Sequence, residues 1–429
     1  MDGLIFLFIF VLFNALLLFA INAQRNSSFS IDLIHRDSTL SPLYNNSVIN
    51  GVNHFDSSMY IDSKYVQSEM SHQSGEYLMK IQISESYEVV AIASMISDLI
   101  WIQCDPCDGC YPQNKPYFKP GGSTYKRVPF ESHFCKALGR IKRGERKGEC
   151  LYKRYKSSEH KITSGVLSTE TFYLQSPDYK PQPYQKIVFG CGTDNAMIVS
   201  MDVQGVVGLG RGDLSLVSQL GSKISGKFSY CLRKNHMNTI TKLKFGPQPP
   251  IQKKTSTLKL FTQPDSSSSL YVLNLKEIRI KGKKLEVSEL NRDMVLDIGT
   301  TVTKLHWRIY DSLIASLREV IGDEIKPVED PTGKYSLCYK NKDISGVAIP
   351  DMIFKFASTN FLSGSDLTLT PSHTFQNLGA KLCMLIIRST HAHGRSVLGS
   401  AAQKDFRVEY EAGKNKVTFI ETSCEENLG

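Results

Sequence analysis

Two stretches in opposite halves of this chain look alike, and one carries a carboxylate where the other carries a hydroxyl. In the second half, Val295-Leu296 leads into Asp297-Ile298-Gly299-Thr300-Thr301. In the first, Val89-Val90-Ala91-Ile92-Ala93 leads into Ser94-Met95-Ile96-Ser97-Asp98-Leu99-Ile100-Trp101. Each is an apolar run that delivers a small polar turn. Two carboxylates brought within a few ångström by such turns cannot both ionise, so they share one proton. The ionised member can take a proton from a water as it attacks a peptide carbonyl, while the protonated member stabilises and protonates the oxygen. Ser94 breaks that division of labour. A serine hydroxyl is neither an acid nor a base at acidic pH, so it can orient a water but cannot deprotonate it. General-base catalysis alone is typically worth about 10² to 10⁴ in rate. Ser94 is not a hydrolase nucleophile either, since no G-x-S-x-G surrounds it and no histidine lies near it in sequence.

The scaffold must place both turns in one cleft, and the chain is long enough to do so. Its 429 residues, 41% hydrophobic, can build two domains with cores of their own. Residues 1–23 read as a signal peptide: an apolar run from Leu4 to Phe19 closes on small residues near Ala20 and Ala23, with no basic residue before it. The run is short for a membrane span and no second one follows, so no membrane anchor is expected. Ten cysteines behind such a leader favour disulfides. Cys104, Cys107 and Cys110 have the spacing of a thiolate metal site, but no fourth ligand follows, so bridges are the better reading. His391 and His393 could be half a metal site, yet they lie in a polar loop, and neither metal nor cofactor is expected. The net charge is +9, and twelve basic residues against four glutamates fall between Lys126 and Lys161. That run reads as a solvated insertion, with acidic wall polysaccharide or phospholipid as an alternative partner. No nucleic-acid module is recognisable.

From Gly75 to Gly246 the pattern is one of short strands and turns, and Gly205 to Leu220 reads as strand, glycine turn and short helix. Its G-x-G-x-G spacing is not that of a dinucleotide fold. The second half repeats the order: strands at 271–275 and 278–280, the Asp297 turn, a helix from Trp307 to Val320 with Ile309, Leu313, Leu317 and Val320 on one face, then Val397-Leu398-Gly399.

With these motifs the chain resembles pepsin-like aspartic endopeptidases, and Phe29-Ser30-Ile31-Asp32-Leu33-Ile34-His35-Arg36-Asp37-Ser38 resembles the prosegment opening of the nepenthesin-like, disease-resistance-related plant group. The resemblance runs from Phe29 almost to the end. It implies an all-β, bilobal pepsin-like fold, two barrel-like lobes with a cleft between them. The divisions are a prosegment-like region 24–71, an N-terminal lobe 72–250, a linker 251–268 and a C-terminal lobe 269–429. It places Asp297 as the surviving catalytic aspartate and Ser94 in the position of the missing one. Substrate binding falls to Gly299, Thr300 and Tyr155, the candidate flap tyrosine, and a bridge joins Cys338 to Cys383. Sequons at Asn26 and Asn45 add to the picture of a secreted, monomeric protein of the apoplast or wall.

The departures cluster where chemistry would occur. Ile96 replaces the glycine two residues after the first acid and should resist the tight conformation a glycine allows. Glu85-Ser86-Tyr87 replaces a G-T-P, and the flap after Tyr155 reads Lys156-Ser157-Ser158-Glu159-His160, longer and without glycines. Cysteines that the resemblance implies around Phe130 and before Cys150 are absent. Asp98 lies close to Ser94, but at a position where the family also has an aspartate in a structural role. The expectation is an inactive or strongly impaired endopeptidase homologue, a pseudoenzyme that binds peptides or another protein. The alternative is an active aspartic-type endopeptidase using Asp297 with an unidentified second acid.

Overall fold

The computed structural model describes residues 28–44, 76–138, 141–143, 148–158, 161–175, 181–197, 201–234, 239–262, 269–358, 365–389 and 395–425. The leader, both sequons, His391 and His393 lie outside these residues.

The chain opens with β1 (Phe29–His35), then β2 (Tyr77–Ile83), β3 (Tyr87–Ser94) and β4 (Trp101–Gln103). A long hairpin system follows: β5 (Cys150–Ser158), β6 (Lys161–Gln175) and β7 (Pro181–Met197). The first half ends with β8 (Gly205–Gly208), α1 (Leu216–Leu220), β9 (Lys227–Cys231) and β10 (Thr241–Phe245). At 15 and 17 residues, β6 and β7 are far longer than the short strands the sequence suggests. Two register shifts, at Ser164/Gly165 and Glu170/Phe172, explain the difference, because each bulge resets the two-residue alternation. The second half contains β11 (Thr255–Lys259), β12 (Val272–Ile280), β13 (Asp293–Leu296), β14 (Thr303–Leu305), α2 (Trp307–Ile321), β15 (Ile386–Arg388), β16 (Ser396–Leu398), β17 (Phe406–Glu411) and β18 (Lys416–Glu421).

The expected internal repeat is visible in the sheet order. In the first lobe β3 runs parallel to β8, β8 antiparallel to β4, and β4 parallel to β7. In the second β13 runs parallel to β16, β16 antiparallel to β14, and β14 parallel to β15. Each order sends one strand through the middle of a loop, and each crossing needs a glycine. A Cβ on Gly208 would lie 2.1 Å from the Asp98 carbonyl oxygen, and one on Gly399 would lie 2.5 Å from that of Val302. Helix α2 buries Ile309, Tyr310, Leu313, Leu317 and Ile321, so its inner face is the predicted one with Ile321 in place of the half-buried Val320.

The lobes share a sheet ordered β11-β18-β17-β9-β10-β1-β2, which continues through β3 into the first lobe. Strand β1, from the prosegment-like region, is internal to it, bonded to β10 on one side and β2 on the other. Its alternation is that of a core strand: Phe29, Ile31 and Leu33 are buried while Ser30 and Asp32 are half-buried on the other face. Phe29 stacks on Phe245 at 4.8 Å, and Phe228 stacks on Tyr410 at 4.5 Å farther along the same sheet. Full burial of one such side chain stabilises by roughly 1.5 to 3 kcal/mol. Strand β11, inside the stretch read as linker, pairs with β18. All ten cysteines are bridged: Cys104 to Cys191, Cys107 to Cys110, Cys135 to Cys150, Cys231 to Cys424 and Cys338 to Cys383. The last joins residues directly opposite each other in an antiparallel pair.

Candidate active-site cleft

Asp297 follows the last residue of β13 and is buried at 5% exposure. Its own loop organises the carboxylate: the Gly299 N–H donates to Oδ1 at 2.9 Å, and the Thr300 hydroxyl donates to Oδ2 at 2.7 Å. The Asp297 N–H donates to the Leu398 carbonyl at 3.3 Å, so the parallel partner β16 fixes its backbone. Both oxygens are thus held toward one geometry, as a site for proton transfer requires.

Ser94 is the last residue of β3 and is likewise buried, at 8% exposure. It is paired with Gly208 of β8, and its carbonyl accepts the Leu209 N–H at 2.8 Å. The apolar residue after each site residue, Met95 in one loop and Ile298 in the other, is fully buried. The path of the first loop therefore survives without its acid.

The two loops also differ three residues on. Ser97 occupies the place in the first loop that Thr300 occupies in the second, and Thr300 uses its hydroxyl on Asp297. The Ser97 hydroxyl is buried and has no hydrogen-bond partner. The Tyr155 hydroxyl lies within electrostatic reach of it without an aligned hydrogen bond. A buried polar group left without a partner costs about 1 to 3 kcal/mol. Sequence position alone did not flag Ser97, although the repeat offset from Thr300 was there to be read.

Ile96 needs a different explanation from the one its type suggests. Its counterpart Gly299 does not have a positive φ, so glycine is not required there for backbone freedom. What glycine provides is room: a Cβ at Gly299 would come within 3.3 Å of Asp297 Oδ1. Ser94 has no carboxylate, and a branched side chain can stand at position 96.

Tyr155 lies on β5, opposite Thr163 of β6, and is laid down on the first loop. Its hydroxyl accepts the N–H groups of Asp98 and Leu99, both at 3.3 Å. Burial, and then the Asp98 charge, push its pKa up. Asp98 is committed elsewhere. Its Oδ1 accepts the Gly212 N–H at 2.8 Å and its Oδ2 accepts the Ser269 hydroxyl, which ties the first loop to the start of the second lobe. Burial raises its pKa, while Ser269 and Gly212 pull it back. With both oxygens engaged, Asp98 is a joint rather than a free acid.

The residues after β1 also approach the cleft. Asp37 feels the charge of Lys334 of the second lobe, and Leu43, like Tyr155, packs against the cluster that includes Trp101. One short segment thus packs on the first lobe and lies within electrostatic reach of the second.

Comparisons with known proteins agree with this architecture. The family described as xylanase inhibitor N-terminal matches residues 77–247, and xylanase inhibitor C-terminal matches residues 270–421. A probable aspartic protease of Arabidopsis thaliana is 32% identical over 98% of both chains. The aspartic proteinase nepenthesin-2 of Nepenthes gracilis is 28% identical over 85% of this chain and 82% of its own. Among solved structures, basic 7S globulin from soybean superposes with a TM-score of 0.67 over 94% of this chain and 97% of that one, at 14% identity.

Proposed function

Since this chain belongs to the pepsin-like aspartic protease family of plants, we propose that it keeps the family's peptide-binding cleft and has lost all or nearly all of its hydrolytic power. The carrying observation is the pair of loops: Asp297 stands fully furnished with donors, whereas Ser94 stands at the equivalent strand end and the Ser97 hydroxyl makes no aligned hydrogen bond. One carboxylate can polarise a water or hold a peptide carbonyl when protonated. It cannot be general base and general acid within one turnover. Asp98 does not replace the missing partner, because Gly212 and Ser269 occupy its oxygens.

Binding without cleavage is the activity left to such a cleft. Its peptide-facing groups would be Asp297, Gly299 and Thr300 on one side and Tyr155 on the other. The match to lobes described as those of a xylanase inhibitor supports a role in binding another protein. The apolar leader and the five bridges support secretion to an oxidising compartment. Among the described residues no helix is long and apolar enough to cross a membrane.

The test is acid-pH cleavage of a denatured protein by the purified chain beside Asp297→Asn and Ser94→Asp versions, with calorimetric titration of a peptide in parallel. Peptide binding by the natural chain without cleavage supports the proposal. Cleavage that Asp297→Asn abolishes refutes it.

A further inference from the structure

On the face of the shared sheet away from the aromatic core, β10 presents Lys242 and Lys244, since Thr241, Leu243 and Phe245 point inward. Lys244 is flanked by two small residues, Ser30 of β1 and Ser229 of β9, which stand directly opposite it. Short side chains beside long ones leave a hollow. A cavity of about 200 Å³ opens there, lined by Lys242, Lys244, Arg233 and Arg407 together with Ser229 and Thr241.

Among the described residues no carboxylate lines the cavity. Two stand at its margin: Asp32 pairs with Lys242, and Glu409 meets Arg407 at 2.7 Å without hydrogen-bond alignment. Among the described residues four cations thus face two acids. The Arg407 Nε is buried with no hydrogen-bond partner, and Arg233 has no ion pair or hydrogen bond among the described residues. Burial, and then the charges of Arg407 and Lys242, hold the Lys244 ammonium below the usual lysine range, so the local potential is positive. A ligand that brings acceptor oxygens and negative charge would relieve the repulsion and satisfy the orphaned donor together.

We propose that this hollow is a binding site for a compact tetrahedral oxyanion, a phosphate or sulfate monoester held by Arg233, Lys244 and Arg407, with the Ser229 hydroxyl as a further donor. The volume suits the oxyanion and a few atoms of its carrier rather than an extended polyanion. The site lies on the shared sheet rather than at Asp297, and it stands whether or not the cleft is catalytic.

The experiment is calorimetric titration of the full chain with inorganic phosphate and with sulfate, against chloride at matched ionic strength. Saturable binding is expected, weakened at least tenfold by Lys244→Gln and unchanged by Lys253→Gln, a cation outside the cavity. Arg233→Gln, half-buried and outside any described pairing, provides a second reading if Lys244→Gln fails to fold. Phosphatidylcholine vesicles carrying a phosphoinositide distinguish the carriers. Co-sedimentation that free phosphate displaces assigns the ester to a lipid headgroup, and saturable phosphate binding without co-sedimentation assigns it to a soluble ester. Titration that never saturates, or that falls equally in Lys244→Gln and Lys253→Gln, overturns the site.

Discussion

Replacing Ser94 by aspartate should restore acid-pH peptide hydrolysis only weakly, and Ser94→Asp with Ile96→Gly should restore it far more. The reason lies in the second loop, where the Gly299 N–H donates to Asp297 Oδ1 at 2.9 Å and a Cβ on Gly299 would come within 3.3 Å of that oxygen. An aspartate at 94 would meet that Cβ on Ile96, with a β-branched side chain beyond it, and would be displaced by a few tenths of an ångström. Misplacement of a catalytic group by about 1 Å can cost 10²-fold in rate. A positioned general base is worth about 10² to 10⁴. The single variant should therefore recover a small part of that range, and the double variant, with the Ser97 hydroxyl now able to donate, should recover most of it. The assay is cleavage of a quenched peptide or denatured protein at acidic pH, with Asp297→Asn added to each variant as the inactive control. Equal rates in the natural chain and the double variant would refute the reasoning, provided both are abolished by Asp297→Asn. A folded double variant with no activity would refute it too, by showing that the altered flap has dismantled the cleft.

Three further outcomes can be checked independently. Ser97→Ala should be neutral or stabilising in the natural chain, because it removes a buried hydroxyl whose isolation costs about 1 to 3 kcal/mol, and destabilising in the Ser94→Asp background; thermal denaturation of the four proteins reads the change of sign. Tyr155→Phe should leave the Asp98 and Leu99 N–H groups without their acceptor and speed limited proteolysis of the β5–β6 hairpin, with folding otherwise intact by circular dichroism. Burial would raise Glu411, but its ion pairs with Lys416, Lys414 and Lys227 outweigh it and hold its pKa at about 2. Its folded pKa lies below the unfolded one, so its contribution is complete above the ordinary carboxylate range and is lost as pH falls toward about 2. Melting temperatures of the natural chain and Glu411→Gln should therefore converge across that window, and parallel curves would refute the assignment.

What the sequence made legible were features whose signal is local. The Asp297 turn, the crossover glycines Gly208 and Gly399 and the face of α2 each sit within a dozen or so residues. Features that depend on distant partners were harder to read. Strand β1 shows a clean alternation of Phe29, Ile31 and Leu33, but its two partners lie at 77–83 and 241–245, and nothing in Phe29–His35 names them. Strand β11 carries a single apolar residue, Leu258, and becomes a strand because β18 offers it a complete ladder. The bulges in β6 and β7 erased the periodicity that would have revealed their length. Ile96 was noticed for a sound reason and explained by the wrong one, since backbone freedom and room for a carboxylate look the same in a sequence.

The same geometry explains how a fold of this kind can lose an acid and stay intact. Nothing that sets the path of the first loop passes through the side chain at 94. The backbone is fixed by β8, the apex by the burial of Met95, and the join to the second lobe by Asp98 with Gly212 and Ser269. Two aspartates that stand four residues apart in an intact loop of this type thus have separable duties, one chemical and one architectural. Loss of the first leaves one orphaned hydroxyl on Ser97, a defect of a kilocalorie or so in a domain whose cores hold far more. Loss of Asp98 would leave donors in both lobes without their acceptor at once.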